Sequence, residues 1–387
     1  MGQVSQFSAK RITERSTDFY RMGAELTTYY PSFLRSIRIL DRALEDLADG
    51  PNWTLEDVLL EDALTSRVDE AEFSQPLCTA IQVAVVQLLT TWGIKPCVTV
   101  GHSSGEIGAA YAAGLISATE AIVAAYYRGK VVADVKTDGA MLAVGLGAEA
   151  VAPYLANMDR KVLVACHNSP DGVTLSGDLS AIETVKATLD TAHVFARIVK
   201  TSGKAYHSHH MAPVSEKYES LMRAAAAAAP FDAAQPSDAI MVSSVTNSII
   251  TKGMSVDEKY WSANLRSPVL FNQAVQTIAT DSQVPKIDLL IEIGPHSALS
   301  GPIRQICTSN KFDKIGYLPT LLRGADSAAQ LLKLAGELFL RNYPLDMERV
   351  TLVEAPLPSG KIHLVTSPSL CLDSFIIFAI LRLPTCI

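Results

Sequence analysis

The sequence predicts an α/β protein in two parts: a parallel-sheet core and a smaller βαββαβ insert. Three observations carry this. The short apolar run Val98–Val100 ends in Gly101-His102-Ser103-Ser104-Gly105 and passes directly into the alanine-rich, helix-prone stretch Ile107–Ala113. That is a strand, a sharp turn and a helix. Between residues 139 and 205 the apolar pattern shortens to strand, helix, strand, strand, helix, strand. Beyond it, helical patterns around 211–229 and 268–280 and the apolar run Ile287–Ile293 resume the larger alternation.

Taken in order, residues 1–20 have no apolar period and carry Lys10, Arg11 and Arg15 among Ser, Thr and Gln. They are expected to be a disordered leader, with order starting near Arg21. Pro31-Ser32 opens a helix through Phe33, Ile37, Leu40, Leu44 and Leu47, stopped by Gly50-Pro51. A second helix is expected to start at Ser74-Gln75-Pro76, with Pro76 in its first turn, and to end before Gly93 and Pro96. Ser117 and Glu120 form a capping box for a helix that runs to Val132. In the insert, Ala140–Leu146, Lys161–His167, Val173–Ser176 and Val194–Val199 read as strands, with Glu149–Asn157 and Ala181–Thr191 as helices, the ferredoxin-like order. The core is thus assigned to 21–138 and 206–340. Past about residue 345 the periodicity fades, and 341–387 is set apart as a divergent tail expected to be disordered or poorly fitted. Its apolar stretch Ser367–Ile387 is broken by Asp373, Arg382 and Pro384, which argues against a membrane span.

The bulk numbers exclude several classes. At 387 residues, 48% hydrophobic and 19% charged, the chain is globular, and a net charge of −7 argues against nucleic acid as a partner. Six scattered cysteines, with no C-x-x-C pair, indicate neither a zinc site nor a disulfide framework. A reduced, cytoplasmic setting follows as the expectation.

The turn at Ser103 suits acyl transfer through a serine ester, because the helix N-terminus behind it supplies N–H donors for a developing oxyanion. A serine hydroxyl needs a base. His207 is the best placed of the eight histidines, in Ala205-Tyr206-His207-Ser208 where the insert returns the chain to the core. His102 is expected to turn away from the site toward packing or a helix end, and His209 and His210 to be surface residues. A metal held by His207, His209 and His210 is disfavoured, since no acidic or cysteine partner accompanies them in the sequence. The base needs an orienting group; backbone carbonyls of Gly294-Pro295-His296 are one option, and the side chains of Glu292 and His296 the others. Arg128 lies in the apolar context Tyr126-Tyr127-Arg128-Gly129. An arginine there either grips a substrate carboxylate or pairs with an internal acid.

These pieces together resemble the malonyl-CoA:acyl carrier protein transacylase family, most closely the acyltransferase domains of fungal highly reducing polyketide synthases. The resemblance rests on Ser74-Gln75-Pro76-Leu77, Trp92-Gly93-Ile94, Gly101 to Gly114, Gly139 to Gly145, Asn168-Ser169-Pro170, Val173 to Asp178, Ala205 to Met211, Ser243 to Thr246, Tyr260-Trp261 with Asn264-Leu265, and Glu292 to Gln305. It covers roughly residues 21–340, in the family's order. It implies an α/β-hydrolase-like core and a two-step transfer. Ser103 attacks an acyl-CoA thioester with His207 as general base, and the acyl-serine is then attacked by the phosphopantetheine thiol of a carrier protein. It further implies that Arg128 holds the malonyl carboxylate, that Gln75, Asn168, Tyr206 and His102 belong to the substrate pocket, and that the Ser104 N–H is an oxyanion donor. Backbone near Gly294 and His296 would orient the base. No bound cofactor or metal is implied. Docking of an acidic carrier is expected to use Arg197, Lys200 and Lys204.

The sequence departs from the family at both ends. Members begin with an apolar strand ending in Gly-Gln-Gly-X-Gln, of which Gly2-Gln3 is the nearest remnant. The missing strand predicts a gap in the sheet beside the nucleophile strand, and its loop would have supplied the second oxyanion donor. Both ends read as if a larger synthase gene had been cut or mis-spliced. Two alternatives stay open here: a serine hydrolase or thioesterase on a related core, and a fold impaired by the incomplete oxyanion hole.

Overall fold

A computed structural model describes residues 21–62, 64–352 and 374–381; the leader expected over 1–20 and most of the tail lie outside them. In chain order the strands among these residues are β1 (Val98–Ser103), β2 (Gly139–Val144), β3 (Val162–Ser169), β4 (Gly172–Asp178), β5 (Ala196–Val199), β6 (Ile240–Val242), β7 (Ile249–Ile250), β8 (Ile287–Ile293), β9 (Gly316–Pro319) and β10 (Ser374–Leu381). They form two sheets, one ordered β7-β6-β1-β10-β8-β9 and the other β3-β4-β2-β5.

The larger sheet is mixed, which corrects the expectation of a parallel core. β1 pairs parallel with β6, and β8 with β9, but β6–β7 is an antiparallel pair and β10 runs antiparallel to both its neighbours. β10 also overturns two expectations about the chain ends. No gap stands beside the nucleophile strand, and the tail is not structureless throughout. The pairing runs from Val98↔Ala379 to Ser103↔Ser374 on one side, and Ile376↔Ile293 begins the other. The physical reason lies in the composition of Ser374–Leu381, Ser-Phe-Ile-Ile-Phe-Ala-Ile-Leu, a run rich in β-formers and suited to a strand covered on both faces. Its neighbours β1 and β8 carry buried residues along nearly their whole length.

Helices cover this sheet. Ala71–Thr91 starts three residues before the expected Ser74, so Pro76 stands inside the helix and not in its first turn. By length and composition it is the one helix among the described residues that could cross a membrane, but it is buried in the core. It packs against Ala118–Ala133, which starts as expected, with Ser117 Oγ accepting from the Glu120 N–H at 3.0 Å. The crossing is close because of Gly129: a Cβ there would stand 2.4 Å from the Ala71 carbonyl oxygen. Tyr126 and Tyr127 donate to the Asp49 main-chain and side-chain oxygens, and Lys130 pairs with the same carboxylate. The helix that carries Arg128 is thereby fixed in rotation and height.

The smaller sheet is antiparallel throughout. Helices Ala148–Leu155 and Leu179–Thr191 pack with it around a separate apolar cluster that includes Leu142, Val151, Leu175, Ile182 and Leu189. It is joined to the rest through β3, where the His167 N–H donates to the Val269 carbonyl and the Val269 N–H to that of Ala165, each at 2.8 Å. The residues following helix Glu258–Arg266 are therefore braced by the second sheet.

Candidate active site

Ser103 is the last residue of β1 and adopts φ +55°, a left-handed backbone that a side-chain-bearing residue enters only under constraint. The constraint is visible. A Cβ on Gly101 would stand 2.2 Å from both N and Cα of Glu106, so the helix Gly105–Ala112 can fold back only over a glycine. Glu106, fully buried, locks the turn from inside. Its carboxylate accepts from the Gly101 N–H at 3.1 Å, the Ser244 N–H and hydroxyl at 2.9 Å each, and the Tyr260 hydroxyl at 2.7 Å. Burial pushes its pKa up to about 7 against the pull of these donors.

His207 meets the serine from the opposite side. Its Nε2 lies 2.7 Å from Ser103 Oγ, and its Nδ1 lies 2.9 Å from the main-chain oxygen of Ser267. A carbonyl oxygen can only accept, so Nδ1 carries the proton and Nε2 is left to accept from the serine hydroxyl. Burial, aided by the charge of Arg128, lowers the His207 pKa to about 3. The ring is therefore a neutral base across the ordinary pH range. The orienting oxygen corrects the expectation at Gly294 and His296: it belongs to Ser267, just after helix Glu258–Arg266 and two residues before the braced Val269. His296 instead accepts from the Arg323 N–H at 3.3 Å. Glu292 accepts from the Leu299 N–H at 3.2 Å and from the Tyr317 hydroxyl, closing a turn.

Arg128 is buried, with Nη2 3.4 Å from Ser103 Oγ. Its Nε donates to Gln75 Oε1 and its Nη1 to Asn264 Oδ1, both at 3.0 Å, so two neutral amides aim the guanidinium at the serine. Asn264 also donates to the Ser103 carbonyl at 3.0 Å, joining the arginine to the elbow itself. His102 does not reach a helix end. Its Nε2 lies 2.8 Å from Asn168 Oδ1, Asn168 donates onward to Thr174 Oγ1 at 2.9 Å, and the ring packs edge-on to Phe271. The amide oxygen accepts, so His102 carries its proton on Nε2. Tyr206 is buried in the main core one residue before His207, and Ser104 is buried at the start of the helix.

Hydrogen bonds thus join Ser103, His207, Arg128 and Gln75, His102 and Asn168 form a separate pair, and Gly294 and His296 take no part in either. Asn264 and Ser267 complete the site beyond the residues the sequence predicts: Asn264 stands in the Tyr260–Leu265 motif, whereas Ser267 acts through a main-chain oxygen and leaves no side-chain signal. His207 does not converge with His209 and His210, which turn to Asp178. Of the cations expected to dock a carrier, Lys200 pairs with Asp69 at 2.6 Å and Lys204 donates to the Val135 carbonyl at 2.6 Å, while Arg197 faces outward on β5.

This geometry, a serine on a strained turn with a neutral histidine and a buried arginine, can be set beside known proteins. Residues 17–343 match the acyl transferase domain family. The chain is 62% identical over 351 residues to the reducing polyketide synthase DEP5 of Alternaria brassicicola, covering 91% of this chain and 15% of that protein. It is 45% identical over 345 residues to the reducing polyketide synthase BOA9 of Botryotinia fuckeliana, covering 86% and 15%. It therefore spans about a seventh of the length of such relatives. In fold it is similar to the acyltransferase domain from module 8 of the salinomycin polyketide synthase, with TM-score 0.75 and 24% identity over 87% of this chain and 75% of that one. It is likewise similar to the malonyl CoA-acyl carrier protein transacylase of Clostridium perfringens, with TM-score 0.69 and 22% identity over 86% and 98%. The chain belongs to the acyl transferase domain family.

Proposed function

We propose that this chain takes a malonyl group from coenzyme A onto Ser103 and passes it to the phosphopantetheine thiol of an acyl carrier protein, as the acyltransfer step of polyketide synthesis. The observation that carries the reading is the Arg128 guanidinium, aimed by Gln75 and Asn264 to within 3.4 Å of Ser103 Oγ. A planar cation there suits an acyl group that ends in a carboxylate.

In the first step His207 Nε2 takes the Ser103 proton as Oγ attacks the thioester carbonyl. The developing oxyanion lies near the Ser104 N–H at the start of helix Gly105–Ala112. Collapse breaks the C–S bond, and the leaving coenzyme A sulfur takes the proton from His207. In the second step the carrier thiol gives its proton to His207 and attacks the acyl-serine, and Ser103 leaves with that proton. The acceptor behind Nδ1 is a carbonyl, which weighs against the hydrolase alternative with its carboxylate triad. His102 and Asn168 would line the acyl pocket as a hydrogen-bonded pair, with Tyr206 closing the side next to His207.

For the domain plan, we read 139–205 as a ferredoxin-like insert in a core of 21–138 and 206–340; the strand order β3-β4-β2-β5 supports this. Cys78, Cys97, Cys166 and Cys307 stand as thiols outside any disulfide among the described residues, which supports a cytoplasmic setting. The test is intact mass after incubation with malonyl-CoA. A malonyl adduct is expected on the wild-type chain and not on Ser103→Ala, and a carrier bearing phosphopantetheine should remove it. A folded sample that forms no adduct overturns the reading and favours the impaired one.

A further inference from the structure

A second cluster of ligating side chains stands outside the serine site. Asp178 ends β4, and His209 and His210 lie in the single-turn helix His209–Met211 that follows the general base. Asp178 Oδ1 lies 2.8 Å from His210 Nε2 and 3.0 Å from His209 Nε2. The three ligand atoms all fall within 4.8 Å of one another, and they open on a groove of about 640 Å³ whose walls include Asp138, Ser180 and Glu183. The acidic partner that the sequence did not place beside the histidines is thus supplied by a residue 31 positions upstream of His209.

We infer that Asp178, His209 and His210 form a binding site for one divalent transition-metal ion of the zinc type, which ties the smaller sheet to the segment that follows His207. Two imidazoles and a carboxylate are the donors such ions select. Ligand bonds of about 2.0–2.2 Å in a tetrahedron set neighbouring ligand atoms roughly 3.4 Å apart. Both histidine nitrogens stand closer than that to Asp178 Oδ1, at 2.8 and 3.0 Å, and all three atoms lie within 4.8 Å, so closing on an ion asks the side chains to spread and re-aim their lone pairs from the carboxylate to a common centre. His210 has the second partner expected of a ligating histidine: its Nδ1 lies 2.6 Å from Thr137 Oγ1, and the ring is buried. The threonine hydroxyl can donate or accept. With the site empty it donates to Nδ1 while the Nε2–H donates to Asp178. With an ion bound, Nδ1–H donates to the threonine and the Nε2 lone pair faces the metal. His209 is half-exposed, so the ion has an entry path, and the groove admits water as a further oxygen donor. The ion stands outside the transfer chemistry, and its effect is to pin the turn at 209–211.

The test uses untagged full-length chain stripped with chelator. Zn²⁺ is titrated in competition with a chromophoric chelator, and Co²⁺ is followed by absorption. One equivalent should bind, with a visible Co²⁺ spectrum that lacks a thiolate charge-transfer band. His209→Ala, at an exposed position, should weaken binding about tenfold or more while keeping the fold and Ser103 loading. Asp178→Asn should weaken it as well. Failure to bind an equivalent, equal binding by His209→Ala, or a thiolate band that assigns the ion to the cysteines overturns the inference.

Discussion

Replacing Arg128 by alanine tests the proposed contact with an acyl carboxylate apart from the residue's other contacts. The guanidinium sits 3.4 Å from Ser103 Oγ and is held by two amide oxygens at 3.0 Å. Two charge-assisted hydrogen bonds to a malonyl carboxylate are worth about 1.5–3 kcal/mol each. At about 1.4 kcal/mol per factor of ten, their loss lowers malonyl loading by roughly 10²–10⁴. An acetyl group has no carboxylate and loses none of this. Arg128 also depresses the His207 pKa, and its removal therefore changes the base for both substrates alike. The ratio of the two rates isolates the carboxylate contact. The assay is time-resolved intact mass of the chain with malonyl-CoA and with acetyl-CoA, for wild type, Arg128→Ala and Arg128→Lys. The alanine leaves the Gln75 and Asn264 oxygens without their buried donor, so a melting curve must accompany it, and the lysine variant keeps a charge in place. The expected order in malonyl preference is wild type, lysine, alanine. Equal loss of malonyl and acetyl loading in a folded alanine variant would refute the reasoning.

Further outcomes follow from the same geometry. Because the His207 pKa is lowered to about 3, Ser103 loading should hold its rate as pH falls through 6.5, and an acid limb centred near 6.5 in the pH–rate profile contradicts the buried neutral base. Glu106 is raised from 4.5 to about 7, so the folded state keeps a proton there that the unfolded chain releases. Its contribution, about 3 kcal/mol, is full below pH 4.5 and lost as pH rises through 7. Melting curves from pH 5 to 8 should fall more steeply for wild type than for Glu106→Gln, and parallel curves would count against it. Gly101→Ala should abolish loading and lower stability, since its Cβ has 2.2 Å to the next helix; a fully active variant would show that the turn can open. Deleting residues 374–381 bares the paired edges of β1 and β8 and should cause aggregation and rapid amide exchange at Thr99–Gly101. Unchanged exchange there would mean that β10 is not seated in solution.

Much of the site was legible because its chemistry sits in side chains. Gly101 to Gly105 announces a strained turn, His207 follows the insert, and Arg128 is anomalous in an apolar helix. Ser267 was not legible, because any residue has a main-chain oxygen and only the brace at Val269 places this one. Asn264 and Glu106 were visible as letters but not as joints; their roles depend on partners far along the chain, Arg128 for one and Ser244 and Tyr260 for the other. In the fold, the Ser117 cap and the four strands of the smaller sheet could be read from local pattern, while the start of Ala71–Thr91 could not. β10 could not, because an apolar run carries no record of which edges it joins or in which direction.

The seat of β10 also sets a schedule for folding. β1 is complete at residue 103, yet the strand that lies between it and β8 is Ser374–Leu381. At about 5–20 residues per second, roughly 14–54 s of synthesis separates the two. Until residue 242 is made both edges of β1 are open, and from then until residue 374 the edge that β10 covers remains so; the contact that closes it spans about 270 residues. The strand that carries the serine turn is therefore encoded early and flanked late, and its β10 edge is an unpaired template for other strands in the meantime.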